Sequence, residues 1–168
     1  LLLRHKTGTL GLKAMWKQKE GLHYKALLQM DPNVFMPFAH LPQTKAILKR
    51  FQFSDESSIF AEISGGSPTT DIHDGQNSGR VELHNFKYRS VDFRRVEANV
   101  SFTGETHTYR NLQVERAEGH ATADEVHVDD AVHTVKLTNV VSEVDPVALV
   151  SCFAKDTSEV IARYRFDK

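Results

Sequence analysis

Nine histidines, 22 carboxylates and one cysteine are the residues of this 168-residue chain that could hold a metal or move a proton. His120, His127 and His133 fall among Asp124, Glu125, Asp129 and Asp130, where strands could bring two imidazoles together. Their spacing matches no structural zinc site, so no metal is assigned to them. A neighbouring carboxylate would instead raise an imidazole pKa. The stretch Asp71-Ile72-His73-Asp74-Gly75-Gln76-Asn77 offers oxygen and imidazole donors. It lacks the acidic spacing and closing Glu of a calcium loop and reads as a polar surface loop. The single Cys152 excludes an internal disulfide and a cysteine-based zinc site. It lies in the apolar run Val147-Ala148-Leu149-Val150-Ser151-Cys152-Phe153, which reads it as a buried small hydrophobe.

Catalysis needs a nucleophile or an acid–base pair held in a pocket. The chain carries no Gly-x-Ser-x-Gly, no Gly-x-x-x-x-Gly-Lys and no His-Glu-x-x-His. It is therefore expected to be non-enzymatic and without a cofactor. Arg94, Arg95, Lys87 and Arg89 stand near Phe86, Tyr88 and Phe93, an interleaving seen on single-stranded nucleic-acid surfaces. These aromatics sit at strand spacing in an alternating sheet, so they read as core, and no nucleic-acid partner is expected.

The elements are mainly strands. In Val96-Glu97-Ala98-Asn99-Val100-Ser101-Phe102-Thr103 apolar and polar residues alternate strictly, which puts Val96, Ala98, Val100 and Phe102 on one face. Gly104 turns the chain into a partner strand over 105–115. Further strands are expected over 10–16, 22–30, 59–63, 81–88, 119–128 and 131–141. Gly21, Gly65-Gly66-Ser67-Pro68, Asp74-Gly75, Ser78-Gly79 and Asp129-Asp130 supply turn chemistry between them. Asp31-Pro32 reads as an N-cap followed by proline at the first helical position. A second short helix is expected over 43–49.

The pattern around Asp31-Pro32 returns. Leu27-Leu28-Gln29-Met30-Asp31-Pro32 is echoed 114 positions later by Val141-Ser142-Glu143-Val144-Asp145-Pro146. Ile47-Leu48-Lys49-Arg50-Phe51-Gln52-Phe53 is likewise echoed by Ile161-Ala162-Arg163-Tyr164-Arg165-Phe166. This predicts an internal repeat, with 1–53 as the end of one unit and 54–168 as a second. Each unit is a set of antiparallel strands closed by an Asp-Pro helical cap. The opening Leu1-Leu2-Leu3 and the strand-like close on Phe166-Asp167-Lys168 read as cuts from a longer array. The fold class expected is mostly β: a curved antiparallel sheet, groove-like or sandwich, with short helices after two Asp-Pro turns.

Composition is ordinary for a folded chain, at 40% hydrophobic and 26% charged. No run approaches the roughly 18 apolar residues of a membrane-crossing helix. The net charge of −1 conceals an asymmetry. Residues 1–50 hold nine Lys/Arg against only Glu20 and Asp31, and the acidic excess lies in the remainder. A basic end could meet anionic headgroups, form a solvated face, or pair with the acidic part of a neighbouring copy.

Taken together, Val81-Glu82-Leu83-His84-Asn85-Phe86-Lys87-Tyr88-Arg89, the strand from Val91 to Phe102, the stretch from Tyr109 to Ala123 and the closing Asp145-Pro146 resemble AsmA-like envelope proteins. That group includes TamB-type and related bridge-like lipid-transfer proteins. The resemblance implies an elongated, curved β-sheet with a hydrophobic concave face and no catalytic residues. It implies a periplasmic, cell-envelope location, a membrane-anchored full-length protein and neighbouring repeats of the same chain. The work implied is holding or passing phospholipid or another lipid in outer-membrane maintenance or assembly. Val96, Ala98, Val100, Phe102, Leu112 and Val114 would then face lipid. An open apolar trough is costly at roughly 25 cal/mol per Å² unless lipid or a partner covers it. The Pro-rich Met36-Pro37-Phe38-Ala39-His40-Leu41-Pro42 departs from a pure groove. The alternative is a β-sandwich adhesion module that binds protein or glycan.

Overall fold

A computed structural model describes residues 1–6, 8–34, 48–69, 75–132 and 134–145. They form one sheet of nine antiparallel strands. These are β1 (Leu2–His5), β2 (Gly8–Lys17), β3 (Gly21–Met30), β4 (Phe51–Ser67), β5 (Gln76–Tyr88), β6 (Val91–Thr103), β7 (Thr106–Glu115), β8 (His120–Asp129) and β9 (Thr134–Ser142). The spatial order is the chain order, so each strand pairs with the one before it. The described strands thus make a single open sheet, not the two packed sheets of a sandwich. Among the described residues no helix is long and apolar enough to cross a membrane.

Short connections follow from turn chemistry. The β5–β6 loop is the two residues Arg89 and Ser90, at φ 48° and 72°. Positive φ at both positions matches the right-handed strand twist, as in a type I′ turn. Gly104, at φ 56°, begins the equally short β6–β7 loop. Asp129 Oδ1 accepts hydrogen bonds from the N–H groups of Ala131 and Val132, which closes the turn into β9.

The short helix expected after Asp31-Pro32 is a single 3-10 turn, Pro32–Val34. Asp31 does cap it, because its Oδ1 accepts from the Asn33 N–H at 2.8 Å. The Val34 N–H then bonds to the Asp31 carbonyl three residues back, which is 3-10 and not α geometry. The helix over 43–49 and the cap after Asp145-Pro146 fall almost wholly outside the described residues, as do Cys152, His133 and 161–166. Two expected turns are strand instead. Gly65, Gly66 and Ser67 lie inside β4, and Ser78-Gly79 lies inside β5. The boundary at 53/54 falls within β4, at a bulge where the β4–β5 register shifts between Phe53 and Ser58. Ser57 Oγ fastens this bulge by accepting from the Ser54 N–H at 2.8 Å and donating to the Asn85 carbonyl.

Three asparagines interrupt alternate strands. Asn85 in β5, Asn111 in β7 and Asn139 in β9 all take left-handed backbone, at φ 51°, 52° and 49°. Each follows an apolar–polar pair and precedes an apolar residue: Leu83-His84-Asn85-Phe86, Tyr109-Arg110-Asn111-Leu112 and Leu137-Thr138-Asn139-Val140. One left-handed residue resets the alternation, so apolar side chains two polar positions apart return to the same face. Such interruptions also bend and twist strands. Asparagine tolerates this backbone and a β-branched residue does not. Asn111→Val is therefore expected to lower stability by about 1–2 kcal/mol, and Asn111→Gly to change it by less than about 0.5 kcal/mol. Urea unfolding of both variants tests this.

Candidate functional site

The register carries apolar residues across the sheet in continuous lines. Leu12, Ala26, Ile63, Gly79, Val100, Tyr109, Val126 and Leu137 are successive cross-strand partners from β2 to β9. A parallel line runs through Met30, Ile59, Leu83, Val96, Val114 and Ala121. Paired residues in an antiparallel sheet point to the same side, so both lines share one face. Between them lie Leu28, Ala61, Val81 and Ala98, joined on the far side of the Asn111 irregularity by Leu112, Ala123 and Val140.

All six expected lipid-facing residues lie on this face. Val96 pairs with Val114, Val100 with Tyr109, Phe102 with His107 and Leu112 with Ala123. Their accessibility differs. Ala98 and Val114 are buried, whereas Val96, Val100, Phe102 and Leu112 are half-buried. Exposure rises sharply at the rims: Val126 is 1% exposed, but its β9 partner Leu137 is 51% exposed.

Toward the β5–β6 hairpin the face is closed by aromatics. Phe86 stacks on Phe93 at 5.2 Å, Phe51 meets Phe86 at 5.8 Å, and Phe51 sets its edge against Tyr88 at 4.7 Å. Val114, Ala121 and Val144 complete that core. Phe86 and Phe93 are thus committed to each other and not offered as a stacking platform. At the other end, the Tyr24 hydroxyl reaches across Gly65 to Asn77 Oδ1. A Cβ on Gly65 would stand 2.1 Å from that oxygen. Burial pushes the Tyr109 phenol pKa up, with further increments from Asp130 and Tyr88.

The opposite face is ionic. Glu82 and Glu97 stand directly opposite one another on β5 and β6. Arg95 bridges them, with Nε 2.8 Å from Glu82 and Nη2 2.5 Å from Glu97. Arg80 Nη2 lies 2.6 Å from Glu97, and His84 Nε2 lies 2.8 Å from Glu82. Burial raises the Glu82 carboxyl pKa, but hydrogen bonds and charge from Arg95 and His84 outweigh it and hold it below its ordinary 4.5. Glu82 therefore stabilises the fold above its unfolded pKa, and that contribution is lost as pH falls through the lower folded value. Arg95→Met leaves two opposed carboxylates and is expected to cost about 1 kcal/mol at neutral pH. Adding Glu97→Gln should restore part of it, and Glu82→Gln should flatten the fall in stability as pH drops below the ordinary carboxylate range. Denaturant titrations across pH measure all three.

The histidines disperse over separate partners. His120 Nδ1 lies 2.8 Å from Glu143, His107 Nε2 lies 3.3 Å from Asp130, and His127 Nδ1 lies 3.0 Å from the Thr108 hydroxyl. His120 and His127 share β8, where seven steps along the strand set them roughly 23 Å apart. Among the described residues no three His, Cys, Asp or Glu converge as a metal site. A concavity of about 710 Å³ is lined by Lys13, Lys25, Ser64, Ser78 and Ser101 together with Tyr24 and Asn77.

One residue at the site carried no expectation from the sequence. Arg116 continues the alternation of Leu112 and Val114, which brings its side chain to the end of the apolar face, with its guanidinium 5.7 Å from the Phe93 ring centre. No family model, curated protein or solved structure matches this chain.

Proposed function

We propose that this chain is a non-enzymatic segment of an AsmA-like envelope protein. It holds or passes phospholipid or another lipid along its apolar β face, in the periplasm, for outer-membrane maintenance or assembly. The carrying observation is the apolar register line from Leu12 to Leu137, unbroken through eight strands of one open sheet. An acyl chain laid along such a line gains about 0.8 kcal/mol for each methylene removed from water. Ala26, Ala61, Gly79, Ala98 and Ala123 keep the floor low beneath it. Val96, Val100, Phe102 and Leu112 contact the lipid, and the buried Ala98 and Val114 shape the surface under it. Neighbouring repeats of the same chain would lengthen the path, and a membrane anchor in the full-length protein would set where it starts.

Val100→Asp places a carboxylate in the middle of the line, where an unpaired charge against hydrocarbon costs several kcal/mol. Lipid carried by the purified variant is expected to fall at least about tenfold. Asn99→Asp, one residue away on the polar face, should leave it unchanged. Both are scored only on protein that unfolds cooperatively, because Val100→Asp also burdens a closed core. A folded Val100→Asp protein that carries as much lipid as the parent would overturn the reading.

A further inference from the structure

Toward the tip of the β2–β3 hairpin the chain exposes apolar and basic side chains together. β2 is half-buried from Gly8 to Gly11 and exposed from Leu12 to Lys17. In that outer half Trp16 is 55% exposed and Met15 51% exposed. Trp16 is the only tryptophan of the chain. Alternation sets Leu12, Ala14 and Trp16 on one side of the strand and Lys13, Met15 and Lys17 on the other. The tip itself is well held. Lys17 is the register partner of Gly21, the Glu20 N–H donates to the Lys17 carbonyl at 3.1 Å, and Lys17 Nζ lies 2.7 Å from Glu20. Gly21, at φ 83°, packs so close to the end of β4 that a Cβ there would stand 2.0 Å from the Ser67 carbonyl oxygen. The exposed side chains are therefore presented on a fixed hairpin.

Charge narrows what such a hairpin can meet. Residues 1–30 carry six Lys/Arg and one carboxylate, Glu20, whereas residues 118–145 carry seven Asp/Glu and one basic residue, Lys136. Positive charge is thus gathered at the β1–β3 end of the sheet. Glu20 is taken up by Lys17 and lies 3.1 Å from His23, and Lys25 is held by Glu62. Arg4, Lys6, Lys13 and Lys19 make no ion pair among the described residues. Lysines alone would make a solvated face, and water gains nothing from an indole and a thioether set beside them. An indole settles at the boundary between lipid headgroups and hydrocarbon. Lysine stems lie along apolar surface and carry their charge to the headgroups. Single-stranded nucleic acid would use the same charge but stacks on a row of rings. Trp16 instead follows Ala14 on its side of the strand and pairs with Leu22. An anionic bilayer suits both the charge and the apolar side chains.

We propose that the β2–β3 hairpin docks tip first on the surface of an anionic phospholipid bilayer, with Trp16 and Met15 among the headgroups and Lys13, Lys17 and Lys19 attracted to the lipid phosphates. A hairpin entering tip first meets lipid on both sides, which accounts for the apolar side chains exposed on each. Leu12 opens the apolar line that runs to Leu137, so the bilayer lies at that end of the line. The docking stands on the hairpin's own residues and holds or fails apart from the lipid-holding reading. Where both hold, lipid enters or leaves the face at its Leu12 end.

The test floats the full chain with vesicles of dioleoyl phosphatidylcholine, alone or mixed with dioleoyl phosphatidylglycerol, and reads the emission of Trp16. The parent should bind the mixed vesicles at least about tenfold more tightly than the neutral ones, and less tightly as salt is raised. On binding, the emission should shift to the blue and be quenched by brominated acyl chains. Lys13→Gln with Lys19→Gln should weaken binding to the mixed vesicles about tenfold, from two charges each worth up to about fivefold. Trp16→Ala, followed by flotation alone, should weaken binding to both vesicle types. These side chains are exposed, so the variants should unfold as the parent does. Val100→Asp should still float with the mixed vesicles, which separates docking from lipid carried on the apolar face. Equal binding of the parent to the two vesicle types, an unshifted Trp16 emission, or parent-like flotation of the double Gln variant would overturn the docking. So would a parent that leaves both vesicles unbound and binds a single-stranded oligonucleotide instead.

Discussion

Phe86→Ala is expected to destabilise the chain by about 3–5 kcal/mol. The ring is buried, stacks on Phe93 at 5.2 Å and lies 5.8 Å from Phe51, with Val114 and Ala121 in the same cluster. Truncation removes the transfer free energy of the ring and leaves a cavity among residues drawn from β4 to β8. A sheet of this kind cannot close the gap by sliding, because each strand is held in register on both sides. A loss of this size is a large share of the roughly 5–15 kcal/mol that stabilises a typical domain. The variant should show a lowered urea midpoint with little change in slope. Val141→Ala, on the last of the described strands and 66% exposed, should change stability by less than about 0.5 kcal/mol.

Gly79→Val is expected to be at least as damaging, through backbone geometry and not through lost burial. A Cβ at Gly79 would lie 1.9 Å from the Glu62 carbonyl oxygen and 2.8 Å from the Ile63 Cα. Both are main-chain atoms of the paired strand, so no rotamer change relieves the collision. The β4–β5 pairing must open around Ile63 and Gly79, which adds lost ladder hydrogen bonds to the overpacking cost, for a total of about 3 kcal/mol or more. Failure to accumulate as soluble folded protein is the expected expression result. Gly104→Ala is the contrast: nothing lies within 4 Å of its added Cβ. There only the left-handed backbone is penalised, by about 1–2 kcal/mol.

The same glycines show where sequence and structure part. Ser78-Gly79 and Gly65-Gly66-Ser67 carry turn composition, yet they lie within β5 and β4. At Gly79 the residue serves a close approach between strands, and at Gly65 it clears the path from Tyr24 to Asn77. Local composition does not distinguish these uses from a turn. The strand β1 went unread because Leu1-Leu2-Leu3 does not alternate. By contrast, the last eight of the 13 residues of β6, Val96 to Thr103, were legible, because strict alternation has one geometric meaning. The shared face of Val96, Ala98, Val100, Phe102, Leu112 and Val114 was legible for the same reason.

Two features had a readable signal that alternation alone conceals. The recurring apolar–polar–Asn–apolar tetrads at Leu83, Tyr109 and Leu137 mark the left-handed positions. A strict period of two treats each as the end of a pattern, whereas each restores it. Arg116 follows Leu112 and Val114 in phase, so a cation at the end of an apolar row was present in the sequence. Its contact with Phe93 joins residues 23 positions apart, and no local pattern carries that. The Asp31-Pro32 cap shows the reverse case. Its capping hydrogen bond forms as the residue types require, but the turn that follows is 3-10.

Native mass spectrometry of the intact chain, purified from cells without added lipid, tests the central claim most directly. Bound phospholipid on cooperatively folded protein, lost when Val100 becomes Asp and kept when Asn99 becomes Asp, is the expected result. A folded protein that stays free of lipid, and still fails to take it up from phospholipid vesicles, would contradict it.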